Sequence, residues 1–221
     1  MIRIWGRPTS ICTQRVLWAC VEADVGFELT LASGTMGPDG HVSTGAEPYG
    51  GVDAPRYRAM NPNGTVPTIE DGGCVLWESN AIVTYLGLRY GLGTLVDGNP
   101  ETIAHAVQWM SWTNEHLEPH LHTLVMELRR LHEDLRTPGA VAAAIRGITP
   151  ALGILDDHLA DNAHVAGDRF SMGDIPAGAA VRRWQVFAQA GPATPHLDAW
   201  LARLAEREGF RRHVAPPELH V

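Results

Sequence analysis

The pattern of apolar residues changes character near residue 93, and this break restricts the chain to a two-part fold. Before it, short runs alternate or sit between turn signals; after it, apolar positions recur only at helical spacing. Ile2-Arg3-Ile4-Trp5 predicts a first strand, ended by Gly6-Arg7-Pro8-Thr9-Ser10. A helix follows with Val16, Leu17, Cys20 and Val21 on one face and a stop near Gly26. Phe27 to Leu31, Val66 to Glu70 and Cys74 to Trp77 predict three more strands, the last two joined by the turn signal Asp71-Gly72-Gly73. Ser79 opens a helix that runs through Tyr90. Beyond the break, Ile103 to Trp112, Leu121 to Leu135, 140–160, 174–190 and 195–208 read as helices, and no segment reads as a strand. The fold class predicted is α+β/α: a βαβ–ββα N-terminal domain over 1–90, a linker over 91–98 and an all-helical bundle domain over 99–221. Residues 33–55, rich in Gly, Pro, Ser, Thr and Asp, form a long loop of the kind that is usually functional or disordered.

Composition removes several function classes. The 221 residues carry 17 basic against 25 acidic side chains, a net charge of −8, and every basic residue is Arg. A chain without Lys has no Schiff-base lysine and no P-loop lysine. An acidic chain without a basic run is a poor nucleic-acid binder. Met1-Ile2-Arg3-Ile4-Trp5 has no signal-peptide core, and no stretch reaches the roughly 18 to 20 apolar residues needed to cross a bilayer. No membrane association and a cytoplasmic location are therefore expected. Cys12, Cys20 and Cys74 form no C-x-x-C pair and no disulfide framework, which also disfavours a structural zinc site.

Chemistry-bearing residues converge on one corner of the N-terminal domain. Ser10 stands where the first strand hands over to a helix; it reads as an N-cap, or as a hydroxyl at a helix N-terminus that favours an anion. Cys12 falls in the first turn of that helix, where a thiol is acidified, or is a small buried hydrophobe. Pro67 within a strand-like run marks an edge, a bulge or a cis bond, and leaves Val66 to pair its backbone with an extended ligand. Glu78 and Ser79 end the fourth strand and open a helix, with Ser79 a candidate N-cap or carboxylate holder and Glu78 an acceptor for an ammonium. Two helix N-termini, an edge strand and a carboxylate suit a small peptide with charge at both ends. In the second half, His116 and His120 are four residues apart, but Pro119 lies between them and no H-E-x-x-H pattern is present, so no metal site is predicted.

Asn61-Pro62-Asn63-Gly64-Thr65-Val66-Pro67-Thr68-Ile69 and Trp77-Glu78-Ser79-Asn80-Ala81-Ile82 resemble, in order and separation, the second half of the thioredoxin-like domain of cytosolic glutathione transferases. Phe170-Ser171-Met172-Gly173-Asp174-Ile175 resembles that family's capping box in the helical domain, and Ser171 and Asp174 also have capping-box spacing. Pro195 to Trp200 and Phe210 to Val214 resemble bacterial members. The resemblance implies glutathione as co-substrate, a cis Pro67, Val66 on the cysteinyl backbone, Glu78 and Ser79 on the γ-glutamyl end, and a homodimer acting in detoxification. No Tyr precedes Tyr49, so the resemblance is to the serine/threonine type rather than the tyrosine type, with Ser10 or Cys12 as the catalytic group. Bacterial members of that type often carry Asn where Cys12 stands. The stretch from Gly34 to Tyr49 is longer than this group leads one to expect and reads as a lid or a tolerated insertion.

The function implied is transfer of an alkyl or aryl group to the glutathione thiolate from an apolar electrophile, with Trp112 and His116 as pocket residues and Trp109 in the core. Arg129 and Arg130 read as a solvated face or as a contact to a glutathione carboxylate across the dimer cleft. Two alternatives stay open: a glutathione-dependent disulfide or peroxide reductase using Cys12, and a non-catalytic binding or scaffold protein on the same fold.

Overall fold

The computed structural model describes residues 1–33, 51–187 and 191–215. Most of the predicted loop, and with it the lid or insertion from Gly34 to Tyr49, lies outside the described residues.

The first half is a four-stranded sheet with helices. Strands β1 (Ile2–Gly6), β2 (Phe27–Leu31), β3 (Thr68–Asp71) and β4 (Cys74–Trp77) stand in the order β2-β1-β3-β4. β1 runs parallel to β2, with Ile4 opposite Leu29, and antiparallel to β3, with Ile4 opposite Ile69. The parallel step needs a crossover, which helix α1 (Ile11–Glu22) supplies; β3 and β4 close directly as a hairpin. Ile2, Ile4 and Ile69 are buried on one face, as a period of two requires. Together with α3 (Ser79–Tyr90), these elements make the thioredoxin-like domain.

A short helix, α2 (Pro55–Met60), falls at the end of the predicted loop and has no counterpart in the sequence reading. Its six residues are too few to show a period, although Pro55 in the first turn is a start signal. The buried Tyr57 hydroxyl donates to the Thr65 carbonyl at 2.7 Å and meets Thr68 Oγ1 at 2.8 Å. The fully buried Asn61 amide donates to the same carbonyl at 2.9 Å and the same hydroxyl at 3.1 Å. These bonds fix the segment that delivers Val66 and Pro67, whose peptide bond is cis.

The described part of the second half is helical: α4 (Pro100–His116), α5 (Glu118–Val125), α6 (Ala140–Asp161), α7 (Asp174–Phe187), α8 (Pro195–Ala205) and α9 (Glu208–His213). The predicted continuous helix from Leu121 to Leu135 is not formed: α5 widens into a π-turn over Met126–Arg130, and Leu131 is extended. Pro119 sits in the first turn of α5, the position a proline tolerates, so the chain starts a new helix there rather than kinking an old one.

Helix α1 joins the two halves. Its Trp18 is fully buried against Phe210 (ring centroids 5.1 Å apart) and Phe170 (5.8 Å). The Trp18 indole N–H donates to Glu22 at 2.8 Å, and Glu22 accepts two bonds from Arg207, at 3.0 and 2.6 Å. Two glycines make room for the indole: a Cβ on Gly209 would lie 2.3 Å from Trp18 Cδ1, and one on Gly178 would lie 3.2 Å from Trp18 Cη2.

Asp174, with no exposed surface, organises the helical half. One carboxylate oxygen accepts from Trp200 Nε1 at 2.8 Å and from the Val165 N–H at 3.2 Å, and faces His164 Nδ1 at 3.1 Å. The other accepts from the Ser171 N–H at 2.9 Å, which completes the capping geometry together with the Gly173 N–H donating to Ser171 Oγ at 3.2 Å. Removing a buried acceptor strands every donor it served. Asp174→Ala should therefore cost about 3 to 5 kcal/mol, and Asp174→Asn, which keeps one acceptor oxygen, about 1 to 3 kcal/mol, read as urea-unfolding midpoints.

His213, at the end of α9, packs edge-on against Phe27 at 6.0 Å. Burial, reinforced by the neighbouring Arg212 charge, pushes its imidazole down from 6.5 to about 4. The unfolded chain thus binds a proton that the folded one refuses, so this contribution is complete above pH 6.5 and is lost as pH falls toward 4. Unfolding midpoints measured across that window should fall less steeply in His213→Gln than in the wild type.

Candidate functional site

The connection from β1 to α1 carries the first candidate side chains, at the end of an inner strand of the sheet. Ser10 is the N-cap of α1, with extended backbone, and its Oγ accepts from the Thr13 N–H at 3.4 Å. That bond uses an oxygen lone pair and leaves the hydroxyl proton to donate elsewhere. Cys12, in the first turn of α1, is half-buried. Its environment differs from that of Cys20, whose thiol is pushed up to about 12 by burial and, secondarily, by the Asp71 charge. Cys20 is thus an inert core thiol.

At β4 the chain turns into α3 through Glu78, which adopts φ +70°. A left-handed backbone in a residue with a side chain costs about 1 to 3 kcal/mol and is held by its surroundings. Glu78, not Ser79, is the N-cap of α3, and among the described residues no side-chain cap hydrogen bond is made there. Its first N–H groups are therefore available to an anion. Ser79, the first helical residue, is buried, whereas Glu78 is exposed.

Ser10, Cys12, Val66, Pro67, Glu78 and Ser79, from separate segments of the N-terminal half, line one cleft of about 490 Å³. That volume is in the range of small-ligand sites. The opposite half contributes Glu118, Leu121, His122 and Val125 from α5, Arg130 from the π-turn and Arg183 from α7. Residues 9–89 match the family described as glutathione S-transferase, N-terminal domain, and residues 119–208 match glutathione S-transferase, C-terminal domain. The chain is 32% identical over 219 residues to glutathione S-transferase GstB of Escherichia coli, covering 98% of this chain and 99% of that protein. The chain belongs to the glutathione S-transferase family. It is also similar to the theta class glutathione S-transferase of Xanthomonas axonopodis pv. citri solved with glutathione bound, with 38% identity, a TM-score of 0.86 and 96% of each chain covered. Glutathione S-transferase 3 of Zea mays is 28% identical over 97% of this chain and 93% of its own length.

Like other parts of this transferase fold, the cleft is held together across the two halves. The Arg15 guanidinium, 1% exposed, donates to Glu118 and reaches Asn114 Oδ1 at 3.4 Å. Arg183 Nη2 donates to the Thr9 carbonyl at 3.1 Å, which fixes the residue just before Ser10 from the helical side.

Trp112 and His116 are not among the residues that line the cleft. They belong to a run of rings on α4 that includes Trp109: Trp109 to Trp112 at 5.0 Å, Trp112 to His116 at 5.4 Å, and Trp109 to His158 of α6 at 4.5 Å. Trp109 is buried, as expected of a core residue. His116 ends α4 while His120 lies on α5, its ring against Gly147, so the sequence pair is split between helices. Among the described residues, no group of three or more His, Cys, Asp or Glu side chains is arranged to hold a metal ion. Arg130 is buried at the cleft, whereas its neighbour Arg129 is exposed over the Phe187 ring at 5.8 Å. Arg183 escaped the sequence reading. Its only signal was a charged pair, Arg182-Arg183, inside an otherwise apolar helix.

Deleting the Glu118 carboxylate would leave Arg15 as a buried charge without its ion-pair partner. Glu118→Ala should lower stability by about 2 to 4 kcal/mol in urea unfolding, below the full cost of a buried pair because the carboxylate is partly exposed.

Proposed function

We propose that the protein is a glutathione transferase of the serine/threonine type, in which glutathione is the co-substrate and Ser10 is the thiolate-stabilising residue. The observation that carries this reading is the meeting of Ser10, Cys12, Val66, Pro67, Glu78 and Ser79 in one cleft. Glu78 and Ser79, with the uncapped N-terminus of α3, take the γ-glutamyl end. Val66, outside the ladder that begins at Thr68, offers its backbone to the cysteinyl residue. This places the sulfur at the start of α1.

A free thiol has a pKa near ~8.5, so a few per cent is ionised at neutral pH. Ser10 Oγ donates a hydrogen bond to the anion, and the α1 N-terminus adds partial positive charge. A drop of about two units corresponds to ~2.7 kcal/mol favouring the thiolate. Ser10 acts as a donor and does not become a nucleophile. Leu121 and Val125 give the electrophile an apolar wall. The thioredoxin-like domain over 1–90 then binds glutathione, a linker spans 91–98, and the helical domain over 99–221 selects the second substrate. A homodimer, with exposed apolar side chains at Val75, Trp77, Leu88 and Leu92 supporting it, and a cytoplasmic role in detoxification belong to the same reading. Among the described residues no helix is long and apolar enough to cross a membrane.

The half-buried Cys12 at the cleft favours one second reading, exchange between Cys12 and a glutathione disulfide. Calorimetry with glutathione and an ultraviolet titration of the bound thiol separate the two. Binding with a thiol pKa well below ~8.5 is expected, raised in Ser10→Ala with conjugation slowed about tenfold or more. Unchanged rates in Ser10→Ala and a collapse in Cys12→Ala would move the role to Cys12.

A further inference from the structure

The loop that delivers Ser10 is tied at consecutive carbonyls, and its last tie comes from the other half of the molecule. The Arg7 carbonyl accepts from the Ser10 N–H at 3.1 Å, and the Pro8 carbonyl accepts from Gln14 Nε2 at 2.9 Å. Both bonds are local, made within the loop or from α1. The Thr9 carbonyl accepts from Arg183 Nη2 of α7 at 3.1 Å, across 174 positions of sequence. The Thr9–Ser10 peptide is thus held at both ends, its N–H on Arg7 and its C=O on Arg183. An amide is rigid, so the freedom left to it is rotation of the whole plane about the flanking Cα atoms. That rotation changes ψ of Thr9 and φ of Ser10, and the Ser10 φ of −80° helps to set where its side chain points. The capping bond from the Thr13 N–H to Ser10 Oγ is long, at 3.4 Å, and holds the hydroxyl loosely by itself. The backbone ties therefore carry much of the aim.

Arg183 is a costly residue at its place. It is 7% exposed, on a helix where Ala180, Val181 and Trp184 are also buried. Burying a guanidinium is unfavourable unless its donors are engaged, and an apolar side chain would pack this helix without that cost. What the arginine adds is a charge-assisted bond to the loop carbonyl. Arg183 lines the cleft together with Ser10 and Cys12, so the tie is made at the site itself.

We propose that Arg183 is a positioning residue for the thiolate chemistry: from the helical half it holds the Thr9–Ser10 peptide, and so aims the Ser10 hydroxyl at the glutathione sulfur. This deepens the transferase reading and rests on it. Without the tie the peptide plane turns, Ser10 Oγ moves off the sulfur, and the anion loses part of its stabilisation. A buried cation also lowers the pKa of a nearby thiol through space. A double-mutant cycle separates that route from positioning.

The thiol of glutathione bound to the full chain is titrated by its ultraviolet absorbance in the wild type, Ser10→Ala, Arg183→Met and the double variant. Arg183→Met keeps an apolar stem and removes the donors. It should raise the thiol pKa by about half a unit to one unit and lower kcat/KM at neutral pH about threefold to tenfold. The glutathione KM should change less than about twofold, because the tripeptide contacts remain. The rate deficit should shrink as pH rises through the thiol pKa, where the sulfur ionises without help. In the Ser10→Ala background, Arg183→Met should add no further shift, since no hydroxyl remains to be aimed. An equal shift in both backgrounds means that the Arg183 charge acts on the sulfur directly. A lower urea midpoint with an unmoved thiol pKa means a purely structural contact. Either result overturns the proposal. If Arg183→Met lacks native circular dichroism, Arg183→Gln enters the same cycle and is read in the same way. Failure of the wild type to bind glutathione at millimolar concentration, or an unmoved thiol pKa in Ser10→Ala, removes the transferase reading of Ser10 and this proposal together. A Ser10→Ala shift with no coupling to Arg183 removes the proposal alone.

Discussion

Helix α1 is buried between the sheet and the helical domain, and both the stability and the chemistry of the molecule run through it. Most of its residues are buried, including the polar Thr13, Gln14 and Arg15. A helix surrounded on all sides has no solvent face on which to hide polar groups, so each needs a partner. Gln14 donates to the Pro8 carbonyl at 2.9 Å, and Arg15 reaches across to Asn114 and Glu118. Trp18 fills the space between the halves, and the Glu22–Arg207 pair closes the far end. The residue that caps α1, Ser10, is also the one proposed to stabilise the thiolate. Its position is therefore set by contacts made along the whole helix and not by the β1–α1 turn alone.

Local signals made the first half legible. Strand alternation, the Asp71-Gly72-Gly73 turn and the cap at Ser10 are short-range properties, and they gave the order of elements along the chain; the sheet order β2-β1-β3-β4 depends on long-range pairing and came from the structure. The N-terminal site residues could be gathered because each sits at the end of a strand or helix, where sequence punctuation is strongest. Helix α2 escaped because six residues carry no measurable period. The break after Arg130 escaped because a π-turn changes the backbone hydrogen-bond register without changing the apolar spacing that a sequence reading counts.

The helical wall was less legible for a different reason. Helical spacing says that Trp112 and His116 share a face; it does not say which neighbour that face meets. They meet each other and Trp109, with α6 alongside. Arg183 reaches the cleft through packing between residues separated by 174 positions in the chain, and no local pattern records such a contact. In a chain whose basic residues are all arginine, charge at an interior site is delivered as a planar fork, which limits what it can recognise to groups of matching shape.

Gly178 and Gly209, far apart in sequence, press on the same indole. A Cβ at Gly209 would displace the fully enclosed Trp18, whereas one at Gly178 would meet Leu204 Cδ1 first, at 2.6 Å, with the indole tight behind it at 3.2 Å. Variation at this seam is therefore a joint matter. A larger side chain at Gly209 requires a smaller one at position 18, one at Gly178 requires Leu204 to give way first, and a smaller residue at 18 opens a void that both glycines are too small to fill. Sequences that drift here must cross through poorly packed intermediates, so the seam between the two halves evolves in coordinated steps or stays as it is.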